Sequence, residues 1–114
     1  VVEDDPNARR AIVRILRHSN FASLEARTVK EALEKLSQHP HWVLLDLMLP
    51  DGNGSEVLTR IKSDGLDVRV CLTTGCSASV IDPLRADVAH VFTKPIDVER
   101  LMGILNNSTS IAAA

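Results

Sequence analysis

Two hydrophobic periods alternate along the chain. Residues Trp42–Leu45 are apolar without alternation, as suits a strand covered by helices on both faces. Residues 68–73 and His90–Thr93 read as further strands, residues 21–26 as a shorter and more polar one near a sheet edge, and Val1-Val2 as the end of another. The chain opens inside that last pattern without a methionine, so upstream residues of the first strand are expected to be missing.

Between these runs the period lengthens to that of a helix. After Asp5 as cap and Pro6 in the first turn, Ala8, Ala11, Ile12, Ile15, Leu16 and Ser19 make one stripe, which leaves Arg9, Arg10, Arg14 and Arg17 as a solvated face. Thr28 and Glu31 form a capping-box pattern before Val29, Ala32, Leu33 and Leu36, and Pro40 marks that helix's end. A third helix buries Val57, Leu58 and Ile61 and closes before Gly65. Pro83 interrupts residues 76–89, which predicts a short or distorted helix there. Asp97 caps a last one presenting Val98, Leu101, Met102 and Leu105. Strand and helix alternate at the spacing of consecutive βα units, which wind right-handedly into a parallel sheet with helices on both faces; the predicted fold class is doubly wound α/β. Residues 1–105 form the predicted domain, and 106–114, small and polar and then alanine-only, a disordered tail or cloning remnant.

Composition narrows the function classes. A chain of 114 residues, 45% hydrophobic, fits one domain with one ordinary core. A formal net charge of −2 gives no bulk attraction to nucleic acid or to an anionic membrane, and no apolar run approaches a membrane span. A cytoplasmic protein is expected. Cys71 and Cys76 match neither a zinc knuckle nor a Cys-x-x-Cys motif and read as idle thiols, and His18, His39, His41 and His90 share no ligand spacing.

The chemistry gathers at strand ends. Glu3-Asp4, Asp46, Thr73-Thr74 and Lys94 stand at the carboxyl ends of four predicted strands, which project to one edge of a parallel sheet, where such folds bind ligands. Each alone has a structural explanation as a cap, a turn or a solvated charge. Together the clustered carboxylates call for a cation, and Mg²⁺ favours a few carboxylates with water and a phosphate ligand. Lys94 and a hydroxyl beside it would complete a place for a phosphoryl group.

In order, Val-Val-Glu-Asp-Asp-Pro, Leu-Leu-Asp-Leu-Met-Leu-Pro-Asp-Gly-Asn-Gly, Leu-Thr-Thr-Gly and Phe-Thr-Lys-Pro make the chain resemble a response-regulator receiver domain of two-component signalling, over residues 1–105. The resemblance implies a five-stranded flavodoxin-like sheet of order 2-1-3-4-5. It implies Asp46 as phosphoryl acceptor, Asp4 as direct Mg²⁺ ligand with Glu3 acting through water, and the Met48 backbone carbonyl as a further metal oxygen. Thr74, with Thr73 as the alternative, would be the switch hydroxyl. Lys94 would pair with phosphoryl oxygens, aimed by a cis bond to Pro95. The implied partners are a sensor histidine kinase or histidine phosphotransfer protein, a downstream effector domain or protein, and a second copy in a homodimer; the domain would catalyse only its own phosphorylation and dephosphorylation. Glu3 replaces the commoner aspartate, and Val91 stands where many receivers carry an aromatic residue, with Phe92 facing the other side of the strand. The rival readings are an unphosphorylated docking or dimerisation module, a Mg²⁺-dependent aspartyl-phosphate phosphatase, against which Met48 stands where such enzymes place a second aspartate, and a nucleotide-binding protein, for which Gly52-x-Gly54 lacks the remaining phosphate-loop residues.

Overall fold

The computed structural model describes residues 1–113, with side chains described as far as Asn107. Its elements are α1 (Pro6–His18), α2 (Val29–Lys35), β1 (Trp42–Leu45), β2 (Met48–Leu49), β3 (Gly52–Asn53), α3 (Ser55–Ser63), β4 (Arg69–Thr74), α4 (Ala78–Ile81), β5 (His90–Thr93) and α5 (Val98–Ala113). Strands β1, β4 and β5 lie side by side and parallel, with Leu45 opposite Leu72 and Thr74 opposite Thr93.

The outer part of the sheet is thinner than the sequence suggests. Instead of five regular strands, three pair continuously, and the first two predicted strands are reduced to single bridges, Val2 to Ala26 and Val2 to Leu45. The lateral succession, Ala26, Val2, β1, β4, β5, still follows the order 2-1-3-4-5. Residues 21–25 stay outside the ladder; Ser23 and Glu25 interrupt the run, and a strand needs continuous ladder partners that the single residue Val2 does not provide. A short antiparallel hairpin, β2 with β3, follows β1 around Pro50 and Asp51, where only a turn was expected.

Alternation along the strands sends side chains to two cores. Val2, Val43, Leu45, Val70 and Leu72 pack with α2, α3 and Ile81 on one face, while Leu44, Cys71 and Phe92 meet Ile12, Leu16, Leu101 and Leu105 of α1 and α5 on the other. Val91 belongs to the first face and Phe92 to the second, as strand geometry requires. Burial pushes the Cys71 thiol up to about 11, which leaves it protonated and inert at neutral pH.

Helix ends follow local chemistry. The Asp5 carboxylate accepts the Asn7 N–H at 3.0 Å and caps α1, and Thr28 Oγ1 accepts the Glu31 N–H at 3.0 Å and caps α2. After α3, Gly65 adopts φ +60°, so that Leu66 N–H reaches Ile61 O at 3.0 Å and Gly65 N–H reaches Lys62 O at 3.2 Å, a paired closure that a left-handed residue permits. Asn20, with φ +67°, closes α1 in the same way, its own N–H on Arg17 O and Phe21 N–H on Leu16 O.

Four sequence readings need revision. The buried positions of α1 are Arg9, Ile12, Val13 and Leu16, not the stripe through Ala11, which is exposed. Of the four arginines, Arg10, Arg14 and Arg17 are exposed but Arg9 is buried. Helix α2 gives way at Leu36 to a 3-10 turn before Pro40 is reached. Helix α5 continues through residues 106–113, where an irregular tail was expected; residue 114 and the side chains from 108 onward lie outside the described residues. The interrupted segment is as short as Pro83 suggests: α4 has four residues and passes into a 3-10 helix over Asp82–Asp87 that packs only a half-buried Leu84 against the core.

Candidate functional site

The first segment sets the site's position. Val2 N–H donates to Leu44 O at 2.8 Å, Asp46 N–H donates to Val2 O at 3.1 Å, and Glu3 N–H donates to Ala26 O at 3.0 Å. These bonds lay the Glu3-Asp4 pair alongside the end of β1, where the chain turns at Asp46. Glu3 and Asp46 are buried and Asp4 is exposed, and one carboxylate oxygen from each lies within 4.8 Å of the others.

Lys94 reaches this group from the end of β5. Its N–H donates to Thr74 O at 2.9 Å, and its Nζ donates to Glu3 Oε1 at 2.6 Å and to Asp46 Oδ2 at 2.9 Å. The Lys94–Pro95 bond is cis. Residues 3, 46 and 94, far apart in sequence, therefore meet within hydrogen-bond distance, at the sheet edge the sequence predicts.

The remaining predicted residues lie close in the chain. Met48 N–H donates to Asp46 Oδ1 at 3.1 Å, which turns the backbone sharply after Asp46, and Met48 itself is 67% exposed. Thr74 is fully buried and its Oγ1 accepts the Cys76 N–H at 3.0 Å; Thr73 is also buried but points to the opposite face of β4.

Charge crowding marks the cluster. Burial holds the Glu3 carboxyl above the ordinary carboxylate range; Lys94 opposes that shift and the neighbouring Asp46 adds to it. Burial also works against the Lys94 ammonium, but its hydrogen bonds to Glu3 and Asp46 outweigh this and raise its pKa. Three carboxylates facing one ammonium leave an excess of negative charge in a hard oxygen-donor set. Such a set fits Mg²⁺, which takes oxygen ligands and keeps several waters.

Three supporting residues escaped the sequence reading. Arg9 lies beneath the acidic pair, its guanidinium donating to Glu3 O at 2.9 Å and to Glu25 Oε1 at 3.1 Å. The spacing held a signal: three residues back from Ile12 on the Ile12, Val13, Leu16 stripe is Arg9 itself. Asp51, in the hairpin turn, accepts Val29 N–H at 2.7 Å and Lys30 N–H at 3.1 Å, and those bonds hold its carboxyl below the usual range. It thus ties the loop after Asp46 to the start of α2, across a sequence distance at which no capping pattern is visible.

Gly54 is the third. A Cβ there would sit 2.2 Å from the Asp46 carbonyl oxygen and 3.1 Å from Leu47 Cα, both backbone atoms that cannot rotate aside. Gly54→Ala is therefore expected to destabilise the fold by about 2 kcal/mol, as other overpacked substitutions do. Urea unfolding measures it, and an unchanged midpoint would show that the loop yields freely.

Comparison with known proteins points the same way. The Response regulator protein PilR of Pseudomonas aeruginosa is 33% identical over 104 residues, covering 89% of this chain and 23% of PilR. The Phosphate regulon transcriptional regulatory protein PhoB of Escherichia coli is 28% identical over 107 residues, covering 90% of this chain and 47% of PhoB. The chain thus spans less than half the length of either. The solved N-terminal domain of an uncharacterized protein from Wolinella succinogenes superposes with a TM-score of 0.85 at 28% identity, over 98% of this chain and 93% of that one. Residues 1–106 match the response regulator receiver domain, and with the ordered motifs and the strand-end cluster in place, the chain belongs to that family.

Proposed function

We propose that Asp46 is the phosphoryl acceptor of this phosphorylation-activated switch, taking its phosphoryl group from a phosphohistidine on a sensor histidine kinase or a histidine phosphotransfer protein. The observation that carries this reading is the Lys94 ammonium bonded to both Glu3 and Asp46 within one carboxylate cluster. An Asp46 carboxylate oxygen forms the new bond to phosphorus while the bond to the histidine nitrogen breaks, and the electron pair stays with the imidazole. Lys94 then faces an extra anionic group and balances the charge that gathers on its oxygens.

Asp4, Glu3, Asp46 and the Met48 carbonyl are the residues that would hold Mg²⁺, Glu3 through water. When bound, the ion supplies neutralising charge for the phosphoryl oxygens. Thr74 is the proposed switch hydroxyl: it now accepts the Cys76 N–H, and turning toward a modified Asp46 would release that amide and alter the loop into α4. With Val91 in place of an aromatic partner, the change would stay close to this loop. The output is a changed surface read by an effector domain or protein, or by a second copy of the chain. The chain's catalysis would be confined to gaining and losing its own phosphoryl group, in the cytoplasm, where a kinase of this class presents its phosphohistidine.

Intact-mass measurement after treatment with a small-molecule phosphodonor, with Mg²⁺ and with chelator, tests the reading. The gain of one phosphoryl group, dependent on Mg²⁺, is the expected result. Metal binding without any gain would leave a docking module, and continuous turnover of a phosphomonoester would indicate a phosphatase.

A further inference from the structure

The buried arginine has no role in the chemistry described so far. A guanidinium is among the costliest groups to remove from water, yet Arg9 is 8% exposed on a helix whose other arginines are exposed. Its hydrogen bonds show what it holds. One nitrogen, Nη1, lies 2.9 Å from Glu3 O and 3.5 Å from Asp4 O, the carbonyls of the two consecutive residues whose side chains enter the carboxylate cluster. Nε donates to Glu25 Oε1 at 3.1 Å, one residue before the Ala26 that receives the Glu3 N–H.

The Glu3 peptide is thus clamped on both sides, by Ala26 at its N–H and by Arg9 at its C=O. Among the described residues Arg9 is the one partner of the Asp4 carbonyl. The planar fork of an arginine can serve two carbonyls and a carboxylate together, which a lysine cannot.

We infer that Arg9 is a positioning residue for divalent-cation binding: by fixing the Glu3 and Asp4 carbonyls it sets the direction in which both carboxylates leave the backbone. The inference rests on reading Glu3, Asp4 and Asp46 as the Mg²⁺ site. It opposes the simple electrostatic expectation, since removing a positive charge near an anionic site should tighten cation binding. The two effects carry opposite signs, and that makes the role measurable.

Mg²⁺ titration calorimetry at neutral pH on the full chain, Arg9→Met, Arg9→Lys and Arg10→Met tests it, with thermal melting to establish the folded state. Arg9→Met keeps an apolar stem and is expected to weaken Mg²⁺ binding about ten-fold, the usual scale for groups that orient metal ligands. Arg9→Lys should fall between Arg9→Met and the unmutated chain, and Arg10→Met, which removes an exposed charge from the same helix, should stay within about two-fold. The Mg²⁺ concentration giving half-maximal phosphoryl uptake should shift with the dissociation constant, while the rate at saturating Mg²⁺ is retained. A purely structural arginine would lower the melting temperature without moving either midpoint.

Unchanged or tighter Mg²⁺ binding in folded Arg9→Met overturns the inference; if that variant does not fold, the same result in Arg9→Lys does so. An unmutated chain that binds no Mg²⁺ overturns the proposed function, and this inference with it.

Discussion

Asp46→Asn is expected to abolish phosphoryl uptake and leave the fold intact. Asparagine retains an oxygen to accept the Met48 N–H, and Lys94 keeps its bond to Glu3, so the local scaffold survives. The nucleophilic oxygen does not survive: an amide oxygen carries no full negative charge, and its electron pair is shared with nitrogen. The change also removes one member of a crowded anionic group, so the melting temperature should hold or rise. Intact mass after phosphodonor treatment measures the first effect and circular dichroism melting the second. A mass gain equal to that of the unmutated chain would place the modification on another residue.

Lys94→Met is expected to lower stability in a pH-dependent way. The substitution leaves Glu3 and Asp46 buried and facing each other without a cation. Breaking a fully buried pair costs about 3–5 kcal/mol, and because the Lys94 side chain is 35% exposed, a loss of about 2 kcal/mol is the appropriate scale. The pH dependence has a definite sign. Glu3 already holds its proton more tightly in the folded state than in the unfolded chain, so its contribution is fullest below the unfolded value of about 4.3 and is lost as pH rises through the raised folded value. Without Lys94 that value climbs further. The deficit of Lys94→Met should therefore be greatest near neutral pH and shrink in acid, and added Mg²⁺ should recover part of it. In the unmutated chain, the raised Lys94 pKa gives stability that is full below about 10.4 and lost as pH rises through its folded value. Denaturant midpoints across pH, with and without Mg²⁺, measure the effect; a neutral-pH deficit no larger than the acidic one would mean that Lys94 neutralises nothing.

The legible parts of the structure are those whose signal is periodic or terminal. Trp42–Leu45 and His90–Thr93 announce themselves as strands, and Gly65 and Asp97 mark helix ends, because the relevant physics acts within a few residues. The meeting of Glu3, Asp46 and Lys94 was legible for a different reason: a parallel sheet brings all strand ends to one edge, so chain order alone predicts convergence.

What escaped was contact between distant segments. Arg9 looked solvated because its charge outweighed its place on the stripe, and the carbonyls that justify its burial are visible only once α1 is docked on the sheet. Asp51 caps a helix that begins 22 residues earlier in the chain. The spacing of Gly54 describes a turn, whereas its requirement for a bare Cα comes from the backbone of Asp46 pressing against it. The segment at 21–25 failed for a related reason: Ser23 and Glu25 break its run, and the neighbour that would pair with it offers a single bridge.

That bridge residue also fixes an ordering. Val2 touches Ala26 on one side and Leu45 on the other, and the alternation it starts sends Glu3 and Asp4 to opposite faces of the sheet, Glu3 buried and Asp4 exposed. A slip of one position would exchange the two acids, offering the longer arm to solvent and the shorter one to Lys94. The identity of each acid is thus spelled by the phase of one valine, and reversing the pair to Asp-Glu would not be a neutral permutation.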